Sequence, residues 1–241
     1  KLMFPTFMSK TQFMMQFMGV KYTENGMVST GLTNYQQLNR WLYENVFIRR
    51  LKSQVQTQLP DKLRESYFIK DNPVYVQADS MLELFSKSAQ MKSQDKDFLS
   101  WLEIVFEETQ KVGVFAHHKC MIEAIEKICI KKGYGYVKID GSTDPTTRQA
   151  LADQFADNAD KKVAILSMSV AGTGINGLQA ADFCVFAEFN WVPGNMLQCE
   201  DRFHRPGLKN SLTILYSIYS QLEMELSQML LEKLGVIQRV I

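Results

Sequence analysis

From residue 97 to residue 219 the sequence alternates largely apolar runs of four to eight residues with amphipathic stretches of ten or more. Phe98, Trp101, Leu102, Val105 and Phe106 follow helical spacing, which places them on one face of a helix. Residues 112–116 then read as a short buried strand, 120–130 as a helix with Met121, Ile122, Ile125 and Ile128 inward, and 136–139 as a strand. Asp144 is expected to cap the next helix with Pro145 at its first position, with Leu151 and Phe155 facing in. Strands follow at 162–168, 183–187 and 212–219, and a helix closes at 224–237. Such alternation specifies an α/β fold, a parallel sheet covered by helices on both faces. Ligands of these sheets sit at the carboxyl ends of the strands. That rim would carry His117 and His118, residues 140–143, residues 167–176 and residues 188–193.

The first 96 residues are less regular. Residues 1–20 are crowded with Phe and Met, and the i,i+4 pairs Phe13/Phe17 and Met14/Met18 predict a helix. It is apolar almost all round and must pack on something, either its own core or a body that precedes Lys1. Asn25-Gly26 and Gly31 mark residues 21–31 as loop. Residues 34–46 read as helix, and 65–69 as a strand after Pro60 has ended the preceding segment. Arg49, Arg50 and Lys52 form a basic knot, which fits a solvated face or a linker turned towards phosphate. With no initiator Met, the chain is read as part of a longer one.

Net charge is +1, so bulk electrostatics select neither nucleic acid nor membrane, and any basic surface must be local. No apolar run is long enough to span a bilayer, and no membrane partner is expected. The four cysteines form no C-x-x-C pair, which fits reduced thiols. His117, His118 and Cys120 lie close together, but no second ligand cluster follows, so no metal site is expected.

The chemistry concentrates in Gln198 to Gly207, QCEDRFHRPG. On a helix, residues three and four apart share a face. Gln198, Asp201, Arg202 and Arg205 would then form one polar edge with two permanent cations. Guanidinium forks suit phosphate oxygens, and two on a rigid element suit the charge that develops in phosphoryl transfer. The plainer alternative is a surface helix with an Asp201–Arg205 pair, worth about 0.3–0.5 kcal/mol. Residues 172–177, GTGING, match G-x-G-x-x-G formally. A dinucleotide site would need a helix to open there, and the five residues before the next strand leave no room for one. The glycines either bring amides close to an anion or serve tight turns. No G-x-x-x-x-G-K-[ST] occurs. The chain therefore has candidate arginine fingers without a phosphate cradle, and such fingers act on a nucleotide held by another body.

In their order these pieces resemble the second RecA-like lobe of superfamily-two helicases, of the Swi/Snf type. VFAHHK at 114–119 resembles motif IV, IDGST at 139–143 the strand-end motif after it, and LSMSVAGTGIN at 166–176 motif V. AEFNWVPGNMLQCEDRFHRPG at 187–207 resembles the tryptophan-proline turn running into motif VI, and FIRRLKSQVQTQLPDK at 47–62 the arginine-rich lead-in. VFAHHK, the FAEFNWVPG run and the non-consensus motif V are most similar to the annealing-helicase (HARP-type) subfamily, associated with fork and junction remodelling.

The resemblance implies residues 1–46 as the tail of a first lobe or a helical insertion, and 47–241 as the helicase C-terminal RecA-like lobe. It implies Arg202 and Arg205 as fingers reaching ATP with Mg held on the first lobe. Gln198 and Asp201 would orient them or touch nucleotide, and Gly172, Gly174 and Asn176 would couple the ATP cleft to DNA. His117, Ser142, Thr143 and Ser167 would lie on the DNA backbone, with Arg49 and Arg50 in the basic lead-in. DNA and the first lobe are the implied partners, the nucleus the implied location in a eukaryote and the cytoplasm otherwise. Taken alone, the chain is expected not to hydrolyse ATP. It departs from the family at Met168-Ser169, where Thr-Arg is frequent, and at Pro206-Gly207-Leu208, where Ile-Gly-Gln is usual. A degenerate lobe kept as a DNA- or protein-binding module is the alternative that Pro206 and Leu208 raise.

Overall fold

The computed structural model describes residues 8–24, 26–45, 55–170 and 174–240, with side chains through Glu232. The chain divides into two compact units, Gln56–Leu231, and Lys1–Val55 with Glu232–Ile241.

In the smaller unit, helix α1 (Lys10–Phe17) starts at a reciprocal cap. The Ser9 side chain accepts from the Gln12 amide, and the Gln12 side chain accepts from the Ser9 amide, so two orphan donors are satisfied at once. Phe17 is buried, with the Phe13 ring 5.3 Å away, the pair that the i,i+4 spacing marks. Residues 21–31, expected to be loop, instead hold a hairpin of β1 (Val20–Thr23) and β2 (Gly26–Ser29) in antiparallel register. The strands are four residues long and mostly exposed, too short and too wet to leave a period-two pattern. Helix α2 (Tyr35–Asn45) buries Leu38.

The larger unit is built on six parallel strands: β3 (Lys62–Phe68), β4 (Val112–Ala116), β5 (Gly135–Ile139), β6 (Lys161–Ser167), β7 (Phe183–Phe186) and β8 (Leu212–Ile218). Their order across the sheet is β3-β8-β7-β4-β6-β5. Strand β4 pairs with β6 on one side and β7 on the other and is buried throughout, as the unbroken apolar run requires.

Helices α3 (Met81–Gln94), α4 (Lys96–Glu108) and α5 (Lys119–Lys132) pack together. Phe98, Trp101, Leu102, Phe106, Met121, Ile125 and Ile128 form a common core with Val112, Val114, Val163, Ile165 and Val185 of the sheet. On the opposite side lie α6 (Arg148–Asp157), a 3-10 turn at Leu178–Ala180 and α7 (Pro193–Phe203). Helix α8 (Gln221–Val240) follows β8. This is the helix-covered parallel sheet that the sequence pattern specifies, in the RecA-like arrangement that the resemblance implies.

Two local expectations change. Helix α6 begins at Arg148, with Thr147 as its N-cap. Asp144 instead accepts from the Thr146 amide and hydroxyl, so the Asp-Pro pair builds a turn ahead of the helix rather than its first residues. Helix α7 ends at Phe203, two residues before Arg205.

Helix α7 seats closely because β4 carries a glycine. A Cβ on Gly113 would collide with the Phe203 ring, and that ring also meets Phe115 edge-on at 5.8 Å. Gly113→Ala is therefore expected to destabilise the fold by about 1–3 kcal/mol, as overpacking does. Gly113→Ala combined with Phe203→Leu should recover part of the loss in a denaturant melt.

Candidate functional site

Four strand ends converge on one rim. Strand β4 runs into His117 and His118, which opens α5. Glu188, just past β7, is almost fully buried and holds that turn. One carboxylate oxygen accepts the amides of His117 (2.7 Å) and His118 (2.9 Å), and the other lies 2.5 Å from His118 Nδ1. A carboxylate at a helix N-terminus is favourable in itself. The His117 ring stays exposed and meets His118 edge-on.

At the end of β5, Asp140 Oδ1 accepts from the Ser142 amide and hydroxyl, and Thr143 Oγ1 accepts from the Asp140 amide. Both hydroxyls thus help to close a turn. At the end of β6, Ser167 is buried and its hydroxyl lies 2.8 Å from that of Ser169, which is exposed. The outermost hydroxyl here is that of Ser169, which sequence reasoning treated only as a departure from Thr-Arg.

Arg202, on the last turn of α7, is half-buried and borders a small apolar crevice of about 10 Å³ with Phe115, Ile139, Leu166, Ser167 and Val170. It therefore stands over the ends of β4, β5 and β6. Arg205 lies beyond the helix. Its Nε donates to the Asp201 carbonyl at 3.1 Å, and its Nη1 donates to the Ile175 carbonyl at 3.0 Å and to Asn176 Oδ1. Burial and the neighbouring Arg202 push the Arg205 pKa down, against the pull of Asp201, so the two cations are close enough to repel.

Asn176 is held in turn by Gln149, whose amide group exchanges two hydrogen bonds with its backbone. Gln198 is exposed one turn before Arg202. Gly174 is exposed, with open space where a Cβ would sit. Gly172, Arg49 and Arg50 lie outside the described residues.

Sequence reasoning missed the groups that brace this rim. Glu200 on α7 is fully buried and accepts from Arg64 (2.6 Å to Nη2), Lys62 (3.1 Å) and the Tyr216 hydroxyl. Lys62 also reaches the Asp201 carboxylate at 3.0 Å. Lys92 on α3 is buried and donates to the Ser217 carbonyl (2.7 Å) and to both oxygens of Glu223 (2.9 and 3.0 Å). A pattern of hydrophobic residues carries no signal for buried charges, because their partners are distant in the chain.

The comparisons with known proteins agree with this fold. Residues 96–207 match the helicase conserved C-terminal domain. A SWI/SNF-related matrix-associated actin-dependent regulator of chromatin subfamily A-like protein 1 of Xenopus laevis is 33% identical over 236 residues, 89% of this chain and 24% of that protein. The chain is a C-terminal RecA-like lobe of the Swi/Snf helicase type. The human DNA annealing helicase and endonuclease ZRANB3 is 33% identical over 213 residues, 78% of this chain and 19% of that protein. The C-terminal part of the Fun30 ATPase domain superposes with a TM-score of 0.52 at 25% identity, covering 57% of this chain and 46% of that one. The chain thus spans about a quarter of the first of these relatives.

In this helicase lobe, electrostatics favour a fixed rim. Bonding to Glu188 raises the His118 pKa from its ordinary 6.5 although burial opposes it. Glu188 is held below 4.5 by His118 and the two amides against the same opposition. The stability that His118 contributes is complete below pH 6.5 and is lost as pH rises through the raised value. That of Glu188 is complete above pH 4.5 and is lost as pH falls through the lowered value. In thermal melts the gap between wild type and His118→Gln is expected to be widest between those limits and to narrow as pH rises above them; a constant gap would contradict the pairing.

Burial pushes the thiols of Cys129 and Cys199 up to about 12, and that of Cys184 well up, so these free cysteines are chemically quiet. Among the described residues no cluster of His, Cys, Asp and Glu could hold a metal, and no helix is long and apolar enough to cross a membrane.

Proposed function

We propose that this chain is the C-terminal motor lobe of a DNA-stimulated ATPase of the annealing-helicase type, completing an ATP site whose phosphate-binding groups belong to a first lobe of the same protein. The observation that carries the reading is the pair of adjacent guanidiniums at the rim. Arg202 lies over the ends of three parallel strands, and Arg205 is tied to residues 175 and 176. Charge held in place before reaction is what stabilises a phosphoryl-transfer transition state.

Closure of the two lobes on ATP with Mg would bring Arg202 and Arg205 to the γ-phosphoryl group, with Gln198 and Asp201 beside them. Through Asn176 the same closure would move residues 167–176 and so act on DNA. His117, Ser142, Thr143 and Ser167 mark the strand ends that would face the DNA backbone, with Ser169 the outermost hydroxyl. The lead-in with Arg49 and Arg50 belongs with residues 47–241, the helicase lobe, and residues 1–46 with a first lobe or insertion. The relatives' names place chromatin regulation and DNA annealing in their own proteins and support a nuclear setting for this one in a eukaryote. On this reading the isolated chain does not turn over ATP.

The full-length protein should hydrolyse ATP faster when DNA is added and show little response to RNA; equal stimulation by RNA would assign the lobe to an RNA helicase. A second reading, a degenerate lobe that binds DNA or protein without catalysis, draws on Arg205, whose Nε and Nη1 are spent on acceptors inside the lobe. Absence of DNA-stimulated turnover in a full-length protein with an intact phosphate-binding loop would favour it.

A further inference from the structure

Helix α7 is tied to the strand at the edge of the sheet by a network made almost wholly of ionised groups. Glu200 receives three hydrogen bonds from Arg64, at 3.0 and 3.2 Å from Nε and 2.6 Å from Nη2, and one from Lys62 at 3.1 Å. Lys62 binds Asp201 as well, at 3.0 Å. The His204 ring contacts the Pro60 carbonyl at 2.8 Å. Residues 60–64, the start of β3 and the residues before it, thus grip residues 200–204 at three points. The gripped residues flank Arg202, and the Asp201 carbonyl receives Arg205 Nε. One turn on from Glu200, Phe203 is lodged against Gly113.

We infer that Glu200 is a positioning residue, which sets the placement of Arg202 and Arg205 by binding α7 to Arg64 and Lys62 of β3. The inference rests on the finger reading above. The grip is electrostatically strong for its place. The Glu200 side chain has no exposed surface and that of Arg64 is about a third exposed. The bidentate geometry fixes direction as well as distance. Burial pulls the Arg64 pKa down, but bonding to Glu200 and the Glu200 charge raise it overall. A displacement of α7 by one ångström would misplace both guanidiniums together, and misplacement on that scale costs about 100-fold in rate. Because β3 is the first strand of the sheet, the grip also gives the chain that leads into the lobe a direct mechanical connection to the fingers.

The test uses the full-length protein with variants Glu200→Gln, Arg64→Gln, the double variant, and Arg202→Ala as the reference for the finger reading. Glu200→Gln keeps the shape of the side chain and an acceptor for Tyr216, so the fold should survive with a melting midpoint within about 5 °C of wild type. Expected results are a fall in kcat of about 10–100-fold with KM for ATP and DNA affinity within about threefold. Binding of ADP with aluminium fluoride, a mimic of the transferred phosphoryl group, should weaken while binding of ADP alone does not. The double variant should be no slower than the worse single variant, because both substitutions break one connection.

If Glu200→Gln keeps kcat within about twofold of wild type while Arg202→Ala is inactive, the positioning role is wrong and the fingers stand. If Arg202→Ala turns over normally, the finger reading falls and takes this inference with it. Parallel losses of kcat, ADP affinity and melting midpoint would assign Glu200 a purely structural role and overturn the proposal. Should Glu200→Gln fail to fold, Arg64→Gln alone decides. Its side chain can be replaced from solvent, and wild-type kcat in that variant overturns the inference.

Discussion

Arg202→Ala in the full-length protein is expected to lower ATP turnover by about 10³–10⁵-fold, the range over which an arginine finger acts. The side chain borders the small crevice at the ends of β4, β5 and β6 and is half-buried, so its removal takes away charge at the rim without opening the core. DNA affinity measured without nucleotide should stay close to wild type, since on the proposed reading phosphate contacts would be spread over other residues. Arg205→Ala is expected to match it in turnover and to differ in one respect. Arg205 holds Ile175 and Asn176, so its loss should also weaken the stimulation of any residual turnover by DNA. Single-turnover hydrolysis with and without DNA separates the two effects. Wild-type rates in either variant would remove the arginines from the mechanism.

The second large effect concerns stability. Lys92→Met is expected to cost about 3–5 kcal/mol, because it strands Glu223 without its cation in a site from which water is excluded. Burial already pushes Lys92 down and Glu223 up, and Glu188 adds its own negative charge to the same region. With the cation gone, Glu223 should take up a proton, so the loss should grow as pH rises. Lys92→Met with Glu223→Met removes both charges and should restore most of the stability, as replacing buried ion pairs by apolar groups does. Urea midpoints of the two single variants and the double one measure the coupling directly; additive losses would show that the pair contributes nothing as a pair.

Parts of the fold were legible and parts were not, for physical reasons. The helices containing Phe98 and Met121, and the strand 112–116, could be read because burial on one helix face, or on both faces of a strand, writes itself into residue spacing. The β1–β2 hairpin could not, since four mostly exposed residues per strand write almost nothing. Asp144-Pro145 carries the signature of a helix start and makes a turn instead, because the Asp144 side chain finds the Thr146 amide and hydroxyl first. In the candidate site, the place of Arg202 on the helix one turn after Gln198 was legible from their spacing. The course of the chain at Arg205 was not: the helix ends at Phe203, and the guanidinium reaches its neighbours from an irregular segment. Glu200 stood between Gln198 and Arg202 without notice, because its partners Lys62 and Arg64 lie more than 130 residues away.

The seating of Phe203 against Gly113 limits how such a machine can move. With an aromatic ring seated against the backbone of a central strand, a large rotation or slide of α7 would have to withdraw that ring. On the motor reading proposed above, work would then be done by carrying the lobe as one body, and control would act where it joins its counterpart.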